Sequence, residues 1–243
     1  MKIIKLSATE STNDYLKELM SLKRLSDFTI VTADAQTKGR GQVSASWESE
    51  PGKNLTFSVL KRHNGLYLDN HFMISMCVSC AVYEVLLNLG LPRLRVKWPN
   101  DILSGTSKVC GILIENSIAG QKIQTSVIGI GLNVNQVLFS NQAKASSLKL
   151  VLGREINLDN LLQTLLDTLQ RYLNDIRSST WNSMLSQYEN ILFNKNSPAT
   201  FQEPNGPLFT GIIKGITKEG KLRLTLEDDS VREYDLKEIK LHY

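Results

Sequence analysis

The side chains best suited to chemistry lie between Lys97 and Gly111. Lys97-Trp98-Pro99-Asn100-Asp101 is followed by Lys108-Val109-Cys110-Gly111. Two lysines and a carboxylate are thus placed around a proline-stiffened turn, between segments that read as buried strands. A core has no use for such charges, because an ionised group taken out of water is costly unless it is paired. Lysines that converge on a cleft most often meet an anion, and a nearby aspartate can hold a hard cation such as Mg²⁺ against phosphate oxygens. A polyphosphate or acyl-phosphate site is the first expectation.

A second basic element is Gln36-Thr37-Lys38-Gly39-Arg40-Gly41-Gln42. Its glycines allow backbone N–H groups to point into a concavity that suits an anion. Arg40 adds a planar guanidinium that matches phosphate or carboxylate oxygens. At an effective dielectric near 20, one such charge about 4 Å from a phosphate oxygen gives roughly 4 kcal/mol of raw Coulomb energy. By itself this composition suits a plain surface loop equally well, and it is not a Walker loop, since Gly-x-x-x-x-Gly-Lys-Ser/Thr is absent. Ser11-Thr12-Asn13-Asp14 is a helix start, with Ser11 and Asp14 resembling a capping box in which Asp stands for Glu. A cap worth about 1 kcal/mol explains these residues without any ligand.

The elements that must position these groups can be read in outline. Ile3-Ile4 opens a strand, and Leu16, Leu19 and Met20 follow the cap at helical spacing. Residues 28–33 and 55–60 read as strands. Between them, Gln36 to Asn54 is polar and aperiodic, longer than the roughly 12–15 residues above which a structureless loop is usually functional or disordered. His71 to Leu89 reads as an apolar helix stopped by Gly90 and Pro92. Strand candidates follow at 95–98, 101–103, 109–116 and 122–132, the last two joined by a turn at Ala119-Gly120 as an antiparallel hairpin. After a polar loop at 135–147 come an amphipathic helix at 158–176 and a second helix at 181–191. Leu161, Leu162, Leu165, Leu166 and Leu169 form a packing stripe on the first. From about residue 194 short strands alternate with turn signals, which suggests a small barrel.

The 243 residues suffice for one large or two modest domains. A composition 42% hydrophobic and 21% charged is ordinary for a soluble globular protein. The net charge of +4 is mild and far from the dense basic stripe of a duplex binder. No signal peptide is visible, no apolar run reaches about 18 residues, and no disulfide framework is suggested, so the expected compartment is the cytoplasm, with no membrane contact. Cys77 and Cys80 have redox spacing but lie inside an apolar helix with no second pair, and read as core. His63, His71 and His242 show no ligand spacing. Gly129-Ile130-Gly131 lacks the third glycine and following helix of a dinucleotide fingerprint.

In order, Ser11-Thr12-Asn13, Gly39-Arg40-Gly41 through Trp47, Lys97–Asp101, Lys108-Val109-Cys110-Gly111-Ile112-Leu113-Ile114-Glu115 and Gly129-Ile130-Gly131-Leu132-Asn133 resemble the motifs of the biotin protein ligases (biotin–[acetyl-CoA-carboxylase] ligases). The likeness covers about residues 3 to 135 and is looser beyond. Each motif is weak alone; together and in order they are specific. The resemblance implies an α+β fold: a class II synthetase-like mixed sheet with flanking helices over 1–193, then a small SH3-like β-barrel over 194–243. It implies formation of biotinyl-5′-AMP from biotin and ATP with Mg²⁺, then transfer of biotin to a lysine of a biotin carboxyl carrier protein or carboxylase subunit, by a monomer or homodimer.

Carried over residue by residue, Lys108 and Arg40 are the expected catalytic groups. Ser11, Thr12, Asn13, Gln36, Gly41, Gln42, Lys108 and Gly111 are expected at biotin; Arg40, Trp47, Lys97, Asn100 and Asn133 at the nucleotide, with Trp47 stacking on adenine; Asp101 near the metal. The segment Val43-Ser44-Ala45-Ser46 departs from the family's more basic loop, which implies a less tightly held intermediate. Relatives with a DNA-binding winged helix carry it before the catalytic motifs. Here those motifs begin by residue 11, so the expectation is an enzyme without DNA binding. The alternatives are a lipoate or octanoyl ligase or transferase of the related fold, and a non-catalytic biotin-binding module.

Overall fold

A computed structural model of the chain describes residues 1–42, 45–139 and 144–243. Val43 and Ser44, half of the departing loop segment, lie outside the described residues. The strands are β1 (Lys2–Thr9), β2 (Thr29–Gln36), β3 (Leu55–Tyr67), β4 (Leu94–Lys97), β5 (Asp101–Ser104), β6 (Ser107–Ala119) and β7 (Lys122–Leu132). They form one sheet in the order β1-β2-β3-β7-β6-β5-β4. β1 and β2 run parallel and every other pair is antiparallel. The helices are α1 (Thr12–Leu22), α2 (Phe72–Asn88), α3 (Leu148–Leu152), α4 (Leu158–Asn174) and α5 (Trp181–Asn190).

Strand alternation divides the residues between two faces. Ile30, Phe57, Val59, Ile112, Ile128, Ile130 and Leu132 point into the larger core, which α2, α4 and α5 cover. The leucine stripe of α4 is buried there as its spacing requires. Val31, Leu60 and Val127 point the other way, onto Leu16 of α1. That second face is only partly covered. Where α1 begins, the sheet carries Ser58, Gly129 and Gly131 instead of large apolar residues.

Several expected elements grow or appear. β1 extends well beyond Ile3-Ile4, because an edge strand with an exposed side needs no continuous apolar run. α3 was legible only from its ends: Ser147 caps it, accepting from the Leu150 N–H at 3.2 Å, and Gly153 closes it at φ 71°. Asp69, His71 and Glu84 interrupt the longest apolar stretch, as the sequence shows, yet its mean composition reads differently. The helical stretch Leu68–Asn88 is long and apolar enough to cross a membrane by composition, but it is the central core helix, largely buried. Hydropathy cannot separate those two environments.

The C-terminal strands β8 (Pro198–Gln202), β9 (Leu208–Ile216), β10 (Leu222–Leu226), β11 (Val231–Tyr234) and β12 (Lys240–His242) form an antiparallel sheet ordered β11-β10-β9-β8-β12. Phe201, Ile213 and Leu224 join the same core as the main sheet. This sheet braces the Lys97–Asp101 turn: Trp98 Nε1 donates to Gly220 O at 2.9 Å. From the other side Tyr188 Oη donates to Pro99 O at 3.3 Å.

Cys77, Cys80 and Cys110 are free and buried. Burial pushes all three thiols up, Cys80 to about 12, so almost no thiolate forms near neutral pH. The expected outcome is that iodoacetamide leaves the folded chain unmodified over a time that labels all three cysteines in denaturant. Rapid labelling of one thiol in the native protein would contradict this burial.

Candidate active site

A cavity of about 200 Å³ opens on the partly covered face of the sheet. Register explains its floor. Gly111 of β6 pairs with Gly131 of β7, and Gly131 pairs with Thr56 of β3. One step along, Leu113 pairs with Gly129 and Gly129 with Ser58. The glycines leave a shallow lane, and two segments close on it. The indole of Trp47 lies directly on Gly131, where any Cβ would overlap the ring. The Asn13 amide lies over Gly129, where a Cβ would sit 2.5 Å from Oδ1.

One end of the cavity is polar and uncharged. Ser11 caps α1, accepting from the Asp14 N–H at 3.4 Å. Thr12 donates from its backbone N–H and from Oγ1 to Gln36 Oε1, at 2.8 and 3.1 Å. Ser58 Oγ lies 2.7 Å from Thr12 Oγ1 and 2.6 Å from Asn13 Oδ1, with one proton to share between them. Ser11, Thr12, Asn13 and Ser58 are buried and Gln36 is half-buried, and all are mutually oriented, so a ligand meets a fixed set of donors and acceptors.

The other end is charged. Lys108 Nζ is 2.7 Å from Asp101 Oδ1, and the same ammonium stands 5.7 Å from the centre of the Trp47 ring. The turn that carries Asp101 is stapled to β6: Asn100 Nδ2 donates to Ile112 O at 2.6 Å, and the Ile112 N–H donates back to Asn100 O at 3.1 Å. Arg40 enters from the separate Gln36–Gln42 arm and lines the same cavity, with its guanidinium beside the start of α1. Its guanidinium is 2.6 Å from Asp14 Oδ1 and 3.0 Å from Glu115 Oε2. Burial pushes the Glu115 carboxyl up, but hydrogen bonds from Lys17, Asn13 and Arg40 outweigh that and hold it below the ordinary carboxylate range. Asp14 is likewise lowered: burial opposes, while Lys17 and Arg40 prevail.

The fold therefore brings Ser11, Thr12, Asn13, Gln36, Arg40, Gly41, Gln42, Trp47, Asn100, Asp101, Lys108 and Gly111 to one cavity. It does not bring Lys97 or Asn133 there. Lys97 ends β4 and points toward the C-terminal sheet, into an adjoining cavity that shares Gln42, Asn100 and Asp101. Its ammonium stands 4.9 Å from the centre of the Tyr243 ring. Burial lowers its pKa, and Lys108, Lys144 and Lys240 add to that while Asp101 opposes. Asn133 is buried just past the end of β7. Its N–H donates to Val109 O and its side-chain amide to Ser146 O, while Oδ1 has no partner among the described residues. Glu115, Ser58, Gly129 and Gly131 are the residues that sequence reasoning left without a role, and Asp14 was read only as part of a helix cap. Register across β3, β6 and β7 is the signal that finds Ser58, Gly129 and Gly131.

As to a metal, no group of three or more His, Cys, Asp or Glu side chains gathers among the described residues. Asp101 is the one carboxylate lining the cavity among them, and Lys108 already engages it. That donor set fits Mg²⁺ brought in on a nucleotide, which keeps phosphate and water oxygens and takes one or two protein carboxylates.

The profile of the biotin/lipoate A/B protein ligase family matches residues 6–133. The chain belongs to this family. The bifunctional ligase/repressor BirA of Escherichia coli K12 is 30% identical over 231 residues, covering 93% of this chain and 69% of that protein. BirA of Bacillus spizizenii is 29% identical over 204 residues, covering 82% of this chain and 62% of that protein. The chain thus spans about three fifths of the length of its Bacillus relatives. Among solved structures, the biotin protein ligase from Aquifex aeolicus in complex with biotin and ATP superposes with a TM-score of 0.83 at 25% identity, covering 99% of this chain and 98% of that one. The superposition gives the fold as the mixed-sheet α+β type of that structure, and the second, antiparallel sheet at the C-terminus is consistent with a small β unit.

Proposed function

We propose that the chain is an ATP-dependent biotin–protein ligase, with 1–193 as the catalytic region and 194–243 as a brace on the Lys97–Asp101 turn. The observation that carries this reading is that Lys108 and Arg40, from separate segments, line one cavity together with the uncharged cluster of Ser11, Thr12, Asn13 and Gln36. Biotin combines an apolar body, a ureido group that needs both donors and acceptors, and a carboxylate. The polar end matches the ureido group and the cationic end the carboxylate. A linear thio-acyl chain would leave the polar end unpaired, which disfavours the lipoate alternative.

In the first step a biotin carboxylate oxygen attacks the α-phosphorus of ATP and the bond to pyrophosphate breaks. Two anions must approach, so fixed cations lower the barrier by stabilising charge on the phosphoryl oxygens. Lys108 is held in place for this by Asp101, and Arg40 holds the phosphate from the opposite arm. Asp101 would hold a Mg²⁺ ion brought in with ATP, and the ion would offset phosphate charge there. Trp47 offers a ring face to the adenine, and Asn100 stands beside it. In the second step a carrier-protein lysine amine attacks the acyl carbon and AMP leaves. On this reading the enzyme works in the cytoplasm, where ATP and a carboxylase carrier are at hand.

Incubation with biotin, ATP and Mg²⁺, followed by mass spectrometry of the protein-bound fraction, is expected to show biotinyl-5′-AMP. Absence of the adenylate with biotin would overturn the proposal, and its appearance with lipoate alone would replace it.

A further inference from the structure

We propose that Glu115 is a positioning residue that ties the start of α1 to the Gln36–Gln42 arm: one carboxylate sets the orientation of the Asn13 amide and anchors Arg40. Glu115 sits on β6 opposite Val127, on the cavity face of the sheet. Its Oε2 accepts from Asn13 Nδ2 at 2.8 Å, and its Oε1 accepts from Lys17 Nζ at 2.8 Å and from Arg40 at 3.1 Å. An ionised carboxylate only accepts, so the Asn13 amide must turn its NH₂ toward Glu115. Its carbonyl oxygen is thereby committed to Gly129 and Ser58, where it presents an acceptor to the cavity. A ligand N–H, as in a cyclic urea, is the group such an acceptor takes. The reverse orientation would set the amide oxygen against the carboxylate.

The same carboxylate holds Arg40, and it is the better screened of the two acids doing so. The Glu115 side chain is 28% exposed against 47% for Asp14. The neutral end and the anion-binding arm therefore share one anchor, though they come from segments far apart in sequence. The identity of the ligand rests on the ligase reading; the anchoring does not.

The test compares the full chain with Glu115→Gln and Glu115→Ala. Glutamine keeps an oxygen for Asn13 and loses the charge for Arg40; alanine loses both. Tryptic cleavage after Arg40, followed by mass spectrometry, is expected to run about threefold to fivefold faster in both variants, the size of a partly exposed ion pair. Cleavage elsewhere should be unchanged. Biotin affinity, measured by calorimetry, should stay within about threefold in Glu115→Gln and fall at least about tenfold in Glu115→Ala, as when a charged hydrogen-bond partner is lost. An unchanged rate after Arg40, an equal rise at every cleavage site, or wild-type biotin affinity in Glu115→Ala would each overturn the inference. If the wild type binds no biotin, the ligase reading fails, and cleavage after Arg40 alone decides the anchor.

Discussion

Replacing Lys108 with alanine is expected to lower the rate of adenylate formation by about 10²–10³-fold, the loss that follows removal of one preorganised charge from a reacting centre. The ammonium is fixed before any ligand arrives, by Asp101 at 2.7 Å and by the face of Trp47. It need not reorganise as charge builds on the phosphoryl group, and that is the condition under which such a group lowers a barrier most. Its contribution to biotin affinity is smaller, because the uncharged end of the cavity holds the rest of the molecule. The split should show in ATP–pyrophosphate exchange at saturating biotin, set beside calorimetry without nucleotide. Alanine also leaves the Asp101 carboxylate, 17% exposed, without its partner. A thermal melt separates the two effects: adding Asp101→Asn relieves the unpaired charge and should restore the melting temperature of Lys108→Ala, while exchange stays slow because the cation and an oxygen for Mg²⁺ are both missing. Wild-type exchange in Lys108→Ala would remove this residue from the chemistry.

The same lysine shows what the sequence could and could not reveal. A charged residue two positions before a buried cysteine, after a turn of Pro, Asn and Asp, is conspicuous locally, and it lines the cavity. Ser11-Thr12-Asn13 is conspicuous as a cap, and a cap it is. That the same three residues face a cavity depends on what lies beneath them, which is set by β3 and β7. Lys97 shows the opposite case. It shares its motif with Asp101, but at the end of a short strand the chain turns it toward the C-terminal sheet. Asn133 stands one residue past β7 and is drawn inward by backbone bonds to Val109 and Leu148. Glu115 was legible as a residue but not as an anchor, because its partners Asn13, Lys17 and Arg40 come from a helix and a loop that only the tertiary fold brings near. Periodicity reports which face a residue takes; it does not report what comes down on that face.

Gly129 is where that distinction has its second-largest expected consequence. A methyl group at this position would lie 2.5 Å from Asn13 Oδ1 and 3.0 Å from its Cγ. The strand cannot give way, since β7 is paired on both sides, with Ser58 of β3 and Leu113 of β6. Asn13 must move instead, breaking its contact with Ser58 and its bond to Glu115. A ligand N–H left facing a displaced acceptor costs about 1–3 kcal/mol. Gly129→Ala should therefore weaken biotin binding by about 10–10²-fold. The fold itself should tolerate the change, because alanine in a strand interior recovers about 0.5–1 kcal/mol of the entropy that glycine loses on folding. Calorimetric titration with biotin, paired with a thermal melt, tests both halves. Affinity within twofold of wild type at an unchanged melting temperature would mean that the Asn13 amide is not what the ligand meets.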